Sequence, residues 1–502
     1  MASKITFTIF PCILFTIASS LSNSTPKNHY TILNVSDSLY HVNNLFSLNP
    51  QLQSQPQQSS YNNENNTLPD SSWSSSSSII SVQLYPRTSL EIPKEPDYRT
   101  LMESRLARDS YRVTTISTKI EMAAAGLSRA DIKPVQDDTN NTYSTESLQA
   151  PISSGTSQGS GEYFTRLGVG SPARDYYMVI DTGSDVNWLQ CEPCNDCYTQ
   201  TDSIFDPTTS TTYSPLPCSS SLCTRLDVSA CGGLTGTCVY QVSYGDGSFT
   251  VGDFVTETLS FPSSPPIPNV GIGCGHDNEG LFAGAAGILG LGGGQLSLTS
   301  QIKSPSFSYC LVNRDSTGFS ALVLNDSPPS DSISTRLLRS SRIDTFYYIA
   351  LTGITIGGRP VPIQPSAFSI DSATGRGGVI IDSGTAITRL KTEAYEAMRD
   401  AFKELTVDLP PAASAALFDT CYDLRGMRNV RVPTVGLVFD GGEMLSFPAR
   451  NYLIPVDDEG TFCFAFAGTS GGVSIVGNVQ QQGIRVWVDT ARGIVSFSQN
   501  SC

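Results

Sequence analysis

Val179-Ile180-Asp181-Thr182-Gly183 and Ile380-Ile381-Asp382-Ser383-Gly384 repeat one pattern in two places along the chain. In each, a β-branched run ends in a carboxylate, a small hydroxyl residue and a glycine. A strand of this kind carries its carboxylate into an interior, and the glycine lets the backbone turn back beneath it. One strand ending in Asp-x-Gly is an ordinary turn signal. Here each copy is followed by an apolar pair ending in glycine, Ile288-Leu289-Gly290 after the first and Ile475-Val476-Gly477 after the second. The paired order predicts a duplicated lobe, with the two carboxylates brought together on a pseudo-twofold axis.

These residues resemble the pepsin-like aspartic proteases, from about residue 160 onward. The resemblance implies an all-β, bilobal fold with short helices and a cleft between lobes. It also implies an endopeptidase whose catalytic pair is Asp181 and Asp382. Two Asp side chains in contact cannot both ionise comfortably, so they share a proton. The ionised one activates water and the protonated one polarises the scissile carbonyl, with no metal and no cofactor. By the same resemblance Thr182 and Ser383 bond across the axis, beside Gly183 and Gly384, while Ser184 and Thr385 orient the carboxylates. The second motif has serine where pepsin has threonine, which keeps the hydroxyl.

Tyr244-Gly245-Asp246-Gly247-Ser248 follows the strand-like Val239–Ser243 and reads as a hairpin tip. It resembles the flap that closes over substrate, with Tyr244 and Gly245 at its tip and Trp188 placed to bond the tyrosine hydroxyl. Other catalytic chemistries are poorly supplied. The three histidines are His29, His41 and His276, no nucleophile motif adjoins them, and there is no His-Glu-x-x-His.

Thirteen cysteines are present, and setting aside Cys12 in an apolar N-terminal segment leaves twelve. An even number behind a leader reads as disulfides, including Cys191-x-x-Cys194-x-x-Cys197, rather than a zinc site. Seven of the twelve fall between 191 and 238. This insert resembles the plant nepenthesin-type group. That resemblance implies Cys191–Cys194, Cys197–Cys274, Cys218–Cys238, Cys223–Cys231, Cys310–Cys502 and Cys421–Cys463 as the pairs.

The organisation expected is a signal peptide over 1–22, a propeptide over 23–150, a first lobe over 151–345 and a second over 346–502. Met1–Lys4 and the apolar Ile5–Ala18 form the leader, too short for a membrane span. It predicts the secretory route, the extracellular apoplast first, with endoplasmic reticulum or vacuole as alternatives. Residues 47–80 are rich in Ser, Gln and Asn and bury too little apolar surface to order themselves. From Pro96 to about Ala125 a helical pattern puts Leu101, Leu106, Val113, Ile116 and Ile120 on one side. Between Asp97 and Lys133, seven basic residues face five acidic ones, in a chain of net charge −15. The charges alone suit a solvated amphipathic helix as well, and it is the family resemblance that implies a propeptide whose basic side chains oppose an acidic cleft.

Asn-x-Ser/Thr sequons stand at Asn23, Asn34, Asn65, Asn140 and Asn325, the last in a Pro-rich loop of the enzyme body. The acidic balance argues against nucleic acid as a partner. The partners expected are protein or peptide substrates, the chain's own propeptide and pepstatin-like inhibitors, on a monomer. The competing class is a non-catalytic inhibitor or binding protein on the same fold.

Overall fold

A computed structural model describes residues 29–45, 79–89, 95–126 and 163–499, apart from 233–235, 245–247, 263, 281–283 and 316–317. The leader, Cys502, Gly245 and the sequons at Asn23, Asn65 and Asn140 lie outside these residues. The architecture is mainly β and bilobal.

Among the described residues, β1 (Tyr30–Asn34), α1 (Val35–Leu45), β2 (Ile80–Pro86), a single 3-10 turn at Arg87–Ser89 and α2 (Tyr98–Ala124) precede the two lobes. The first lobe opens with β3 (Tyr163–Val169) and β4 (Arg174–Asp181). β2 alternates buried Ile80, Val82 and Leu84 with exposed Ser81 and Gln83, the period of a strand with one covered face. It lies antiparallel between β3 and Ser320–Leu324, with Leu84 opposite both Thr165 and Ser320. The same sheet continues through Ser306–Cys310 and Ile484–Asp489 to Ile494–Gln499, so it ties both lobes to the N-terminal segment. β1 pairs with Asn429–Pro433 of the second lobe. The sequence reading placed no element at β1, α1 or β2.

α2 begins at Asp97, whose carboxylate accepts the Thr100 N–H at 2.8 Å. All five apolar residues expected on its inner face are buried. Leu101 and Leu106 pack with Val42 and Leu45 of α1 and with Phe418, Ile454 and Val456. Val113, Ile116 and Ile120 pack with Phe346, Tyr348 and Ile475. Each such side chain is worth about 1.5–3 kcal/mol of burial, so this helix is docked on the second lobe along its length.

In the second lobe, the apolar runs at Val379–Ile381, Tyr347–Ile349, Val435–Phe439 and Ile484–Asp489 form strands. Thr461–Phe464 and Phe466–Thr469 are two strands separated by one residue. The chain switches partners at Ala465, whose N–H donates to the Tyr452 carbonyl at 2.9 Å. The strand Thr388–Lys391 leads directly into the helix Thr392–Glu404.

The bridges formed are Cys191–Cys274, Cys194–Cys197, Cys218–Cys231, Cys223–Cys238 and Cys421–Cys463. The expected pairs Cys191–Cys194, Cys197–Cys274, Cys218–Cys238 and Cys223–Cys231 are therefore incorrect. Trp188–Gln190 runs parallel to the strand holding Cys274, with Leu189 opposite Cys274, which sets Cys191 beside it. In the second exchange, like burial pairs with like. Cys223 and Cys238 are both in the lobe's core, whereas Cys231 is exposed and Cys218 half-buried. Cys310 is also disulfide-bonded, with its partner outside the described residues. No described helix is long and apolar enough to cross a membrane.

Candidate active site

Asp181 ends β4, and Gly287–Gly290 lies parallel beside it with Gly290 opposite Asp181. The Leu291 N–H donates to the Asp181 carbonyl at 2.8 Å. In the second lobe, Ser474–Val476 runs parallel to Val379–Ile381, and the Asp382 N–H donates to the Val476 carbonyl at 3.1 Å. The two apolar-apolar-glycine triplets are thus the strands that back the carboxylate loops, covered on both faces as parallel strands are. Glycine is needed at the crossing, since a Cβ on Gly477 would stand 2.5 Å from the Ala386 carbonyl oxygen.

The two loops meet, with Asp181 at 2% and Asp382 at 0% exposure. The Ser383 N–H donates to Thr182 Oγ1 at 2.9 Å, and the Thr182 N–H donates to Ser383 Oγ at 3.3 Å. Gly183 N–H reaches Asp181 Oδ1 at 2.9 Å, and Gly384 N–H reaches Asp382 Oδ1 at 3.3 Å. The Ser184 hydroxyl donates to Asp181 Oδ2, and Thr385 Oγ1 donates to Asp382 Oδ2 at 2.5 Å. Trp188 Nε1 donates to the Tyr244 hydroxyl at 2.8 Å. Gln481, unread in the sequence, donates from Nε2 to the Asp382 carbonyl at 3.3 Å and accepts the Tyr309 hydroxyl.

Between the carboxylates lies a cation that the sequence reading did not single out. Arg112 of α2 donates from Nε to Asp382 Oδ2 at 2.7 Å and from Nη1 to Asp181 Oδ2 at 3.1 Å. Its Nη2 reaches Asp181 Oδ1 at 2.5 Å and Asp382 Oδ1 at 2.8 Å. All four carboxylate oxygens accept from one guanidinium. Burial pushes the Asp382 carboxyl up, but the charge and hydrogen bonds of Arg112 outweigh it and hold the group below its ordinary 3.8. Gly183 and Gly384 admit the plug, since a Cβ on Gly384 would stand 2.3 Å from Arg112 Cζ.

Three other basic residues of α2 also find carboxylates, while Arg108 donates to Ser104 Oγ at 2.8 Å. Arg99 meets Asp457 at 2.7 Å, Arg105 meets Asp315 at 2.8 Å and Lys119 meets Asp227 at 3.5 Å. Positions 105, 112 and 119 recur every seven residues, two helical turns, and this spacing was the available signal for Arg112. Beside the last turns of α2 lies a cavity of about 630 Å³, lined by Asp185, Arg225, Gln241, Tyr244, Leu296 and Thr345 among others. His276 is engaged by Asp253 and the Pro193 carbonyl, and no His/Cys/Asp/Glu cluster suited to a metal occurs among the described residues.

A β-rich bilobal fold with two hydroxyl-oriented carboxylates on facing loops defines a pepsin-like aspartic peptidase. Family models described as xylanase inhibitor N-terminal and C-terminal match residues 163–326 and 346–499. The chain is 52% identical over 433 residues to Aspartyl protease family protein 2 of Arabidopsis thaliana, spanning 85% of this chain and 86% of that protein. It is 45% identical over 432 residues to the Arabidopsis protein ASPARTIC PROTEASE IN GUARD CELL 2, spanning 85% and 88%. With aspartic proteinase nepenthesin-1 of Nepenthes gracilis it shares 43% over 350 residues, 68% of this chain and 79% of that one. Among solved structures, edgp superposes with a TM-score of 0.57 at 23% identity, covering 68% of this chain and 93% of that chain. Soybean basic 7S globulin gives 0.54 at 22%, covering 68% and 94%, and both share the fold. The chain belongs to the plant nepenthesin-type aspartic proteases and is an aspartic-type endopeptidase.

Proposed function

We propose that the chain is made as a zymogen in which α2 closes the site, and that it becomes active in acid. The observation that carries this is Arg112, which occupies every oxygen of both carboxylates and leaves none to bind water. A buried guanidinium keeps its charge, and by donating to all four carboxylate oxygens it leaves no place for a proton shared between the two groups. Once α2 leaves, two bare carboxylates cannot stay ionised together, and one proton takes the place of the arginine. Opening therefore takes up a proton, and low pH favours it. In the open site Asp181 and Asp382 share that proton. The ionised member draws a proton from the attacking water while the other donates to the peptide carbonyl. Thr182, Ser383, Ser184 and Thr385 keep the two carboxylates in register throughout.

In this reading residues 1–22 are the leader, 23–150 the propeptide, and 151–345 and 346–502 the two lobes of a secreted, monomeric enzyme acting on proteins in the apoplast. Disulfides across the described residues suit an oxidising compartment. Asn325 is the sequon kept on the mature body. The matched models carry an inhibitor's name, which raises the non-catalytic reading, but both carboxylates and their orienting hydroxyls are intact here.

The test is to express residues 23–502 and follow peptide cleavage and chain length from neutral to acidic pH, beside Asp181→Asn and Asp382→Asn. The wild type is expected to shorten and become active in acid. Either mutant should lose about 10³-fold or more, as essential acid–base groups do. Equal activity of the full-length form at pH 7.5 and in acid, with no shortening, overturns the zymogen. Pepstatin binding by the processed protein, expected of a working dyad, would be missing from a pure inhibitor.

A further inference from the structure

One helical turn before Arg112, Asp109 enters a second pocket of the cleft. Its Oδ1 accepts the Ala386 N–H, and its Oδ2 accepts the Ile387 N–H at 3.3 Å. Oδ2 also lies 2.7 Å from Arg389 Nη2, while Arg389 Nη1 donates to the Ile387 carbonyl at 3.0 Å. Asp109 is 3% and Arg389 4% exposed. Two backbone N–H groups and a buried guanidinium converging on one carboxylate form a site built for an anion. It starts one residue past Thr385, whose hydroxyl orients Asp382.

We propose that this pocket selects substrate, taking an aspartate or glutamate side chain close to the scissile bond, and that Asp109 occupies it in the closed form as a stand-in. The inference rests on the proposal that α2 leaves the cleft. When it leaves, Arg389 loses its carboxylate and keeps a single carbonyl contact, so a buried cation faces the open cleft without a counter-charge. A substrate carboxylate restores the pair. A neutral amide does so in part, and a lysine is repelled. Three residues of helix advance about 4.5 Å, and an extended peptide advances about 3.3 Å per residue. The acidic side chain therefore belongs within about two residues of the bond that is cut. Arg389 is a specificity residue and takes no part in the bond-breaking step.

The experiment uses acid-processed enzyme and matched peptides with Asp, Asn or Lys at each of the two positions on either side of the cleaved bond, at about pH 5 where the acid is ionised. At one position Asp should exceed Asn in kcat/KM by about tenfold, the scale of a charged hydrogen-bonded contact. Arg389→Gln should lose the preference, cutting the Asp and Asn peptides with similar kcat/KM, and Arg389→Lys should keep part of it. No preference at any position, or a preference undiminished in Arg389→Gln, overturns the inference. A readout free of catalysis is the binding of a synthetic peptide of residues 98–124. Its Asp109→Asn form should bind wild-type processed enzyme about tenfold more weakly and bind Arg389→Gln no differently from the parent peptide. Equal binding to wild type also overturns it. Failure of the zymogen reading shows separately, as cleavage of the Asn peptides by unshortened chain at neutral pH.

Discussion

Thr182 and Ser383 hold each other beside the Asp181–Asp382 pair: each backbone N–H donates to the other's hydroxyl, at 3.3 and 2.9 Å. Both residues are buried, so neither N–H has water to fall back on. Ser383→Ala removes the acceptor for the Thr182 N–H and leaves it orphaned, at a cost of about 1–3 kcal/mol in denaturant unfolding. The same change lets the two loops drift and should lower kcat more than it raises KM. Ser383→Thr keeps the oxygen and should stay within a few-fold of wild type, read by steady-state kinetics.

Arg112→Gln tests the plug directly. A glutamine cannot supply charge or satisfy four oxygens, so the unprocessed variant should cut peptide and bind pepstatin where the wild type does neither. Docking of α2 should weaken too, because breaking a buried ion pair typically costs about 3–5 kcal/mol. Protease sensitivity of the segment 98–124 reports that loosening. A variant as silent as the wild type before shortening would leave Arg112 without a gating role.

The cysteine exchange makes its own prediction. Non-reducing peptide mapping should recover Cys218–Cys231 and Cys223–Cys238, which close loops of similar span, 13 and 15 residues. Loop entropy alone would make them equal in value, at about 2–4 kcal/mol each. Cys223 and Cys238 are core residues, so Cys223→Ala with Cys238→Ala should also lose packing and lower Tm further than the Cys218/Cys231 double change.

The two carboxylate loops were legible because they repeat a local rule twice: strand, carboxylate, hydroxyl, glycine. Tyr244 and Trp188 were placed by resemblance, and the 2.8 Å bond between them stands. The apolar face of α2 was readable from its period. What the period does not say is which outward cation meets which carboxylate, since Arg112 and Asp181 are brought together only by docking. β2 carries a legible alternation at Ile80, Val82 and Leu84, masked in composition by the Ser-rich stretch before it. Disulfide partners were unreadable because sequence spacing does not record that Cys231 faces solvent while Cys223 and Cys238 share a core.

The acid response has a definite window. Asp382 is pushed up by burial and pulled below 3.8 by Arg112, and Asp315 is likewise lowered by Arg105 against its own burial. A carboxylate depressed in the closed form stabilises that form fully above its open-form pKa, which for the Asp181–Asp382 pair lies above the ordinary value because the open pair holds a shared proton. The contribution fades as pH falls through the lowered value. Closure should therefore be intact at pH 6 and lost progressively below about pH 5, as the open pair gains its shared proton and then Asp382 and Asp315 protonate. Both pairs are buried and poorly screened, so 0.5 M salt at pH 6 should not open the site, whereas it would release a helix held only by exposed pairs such as Lys119–Asp227. The measurement is pepstatin capture of unshortened chain over the first minutes at each pH and salt. Capture at pH 6 in high salt, or a midpoint near neutrality, would move the control of opening away from Asp382 and Asp315.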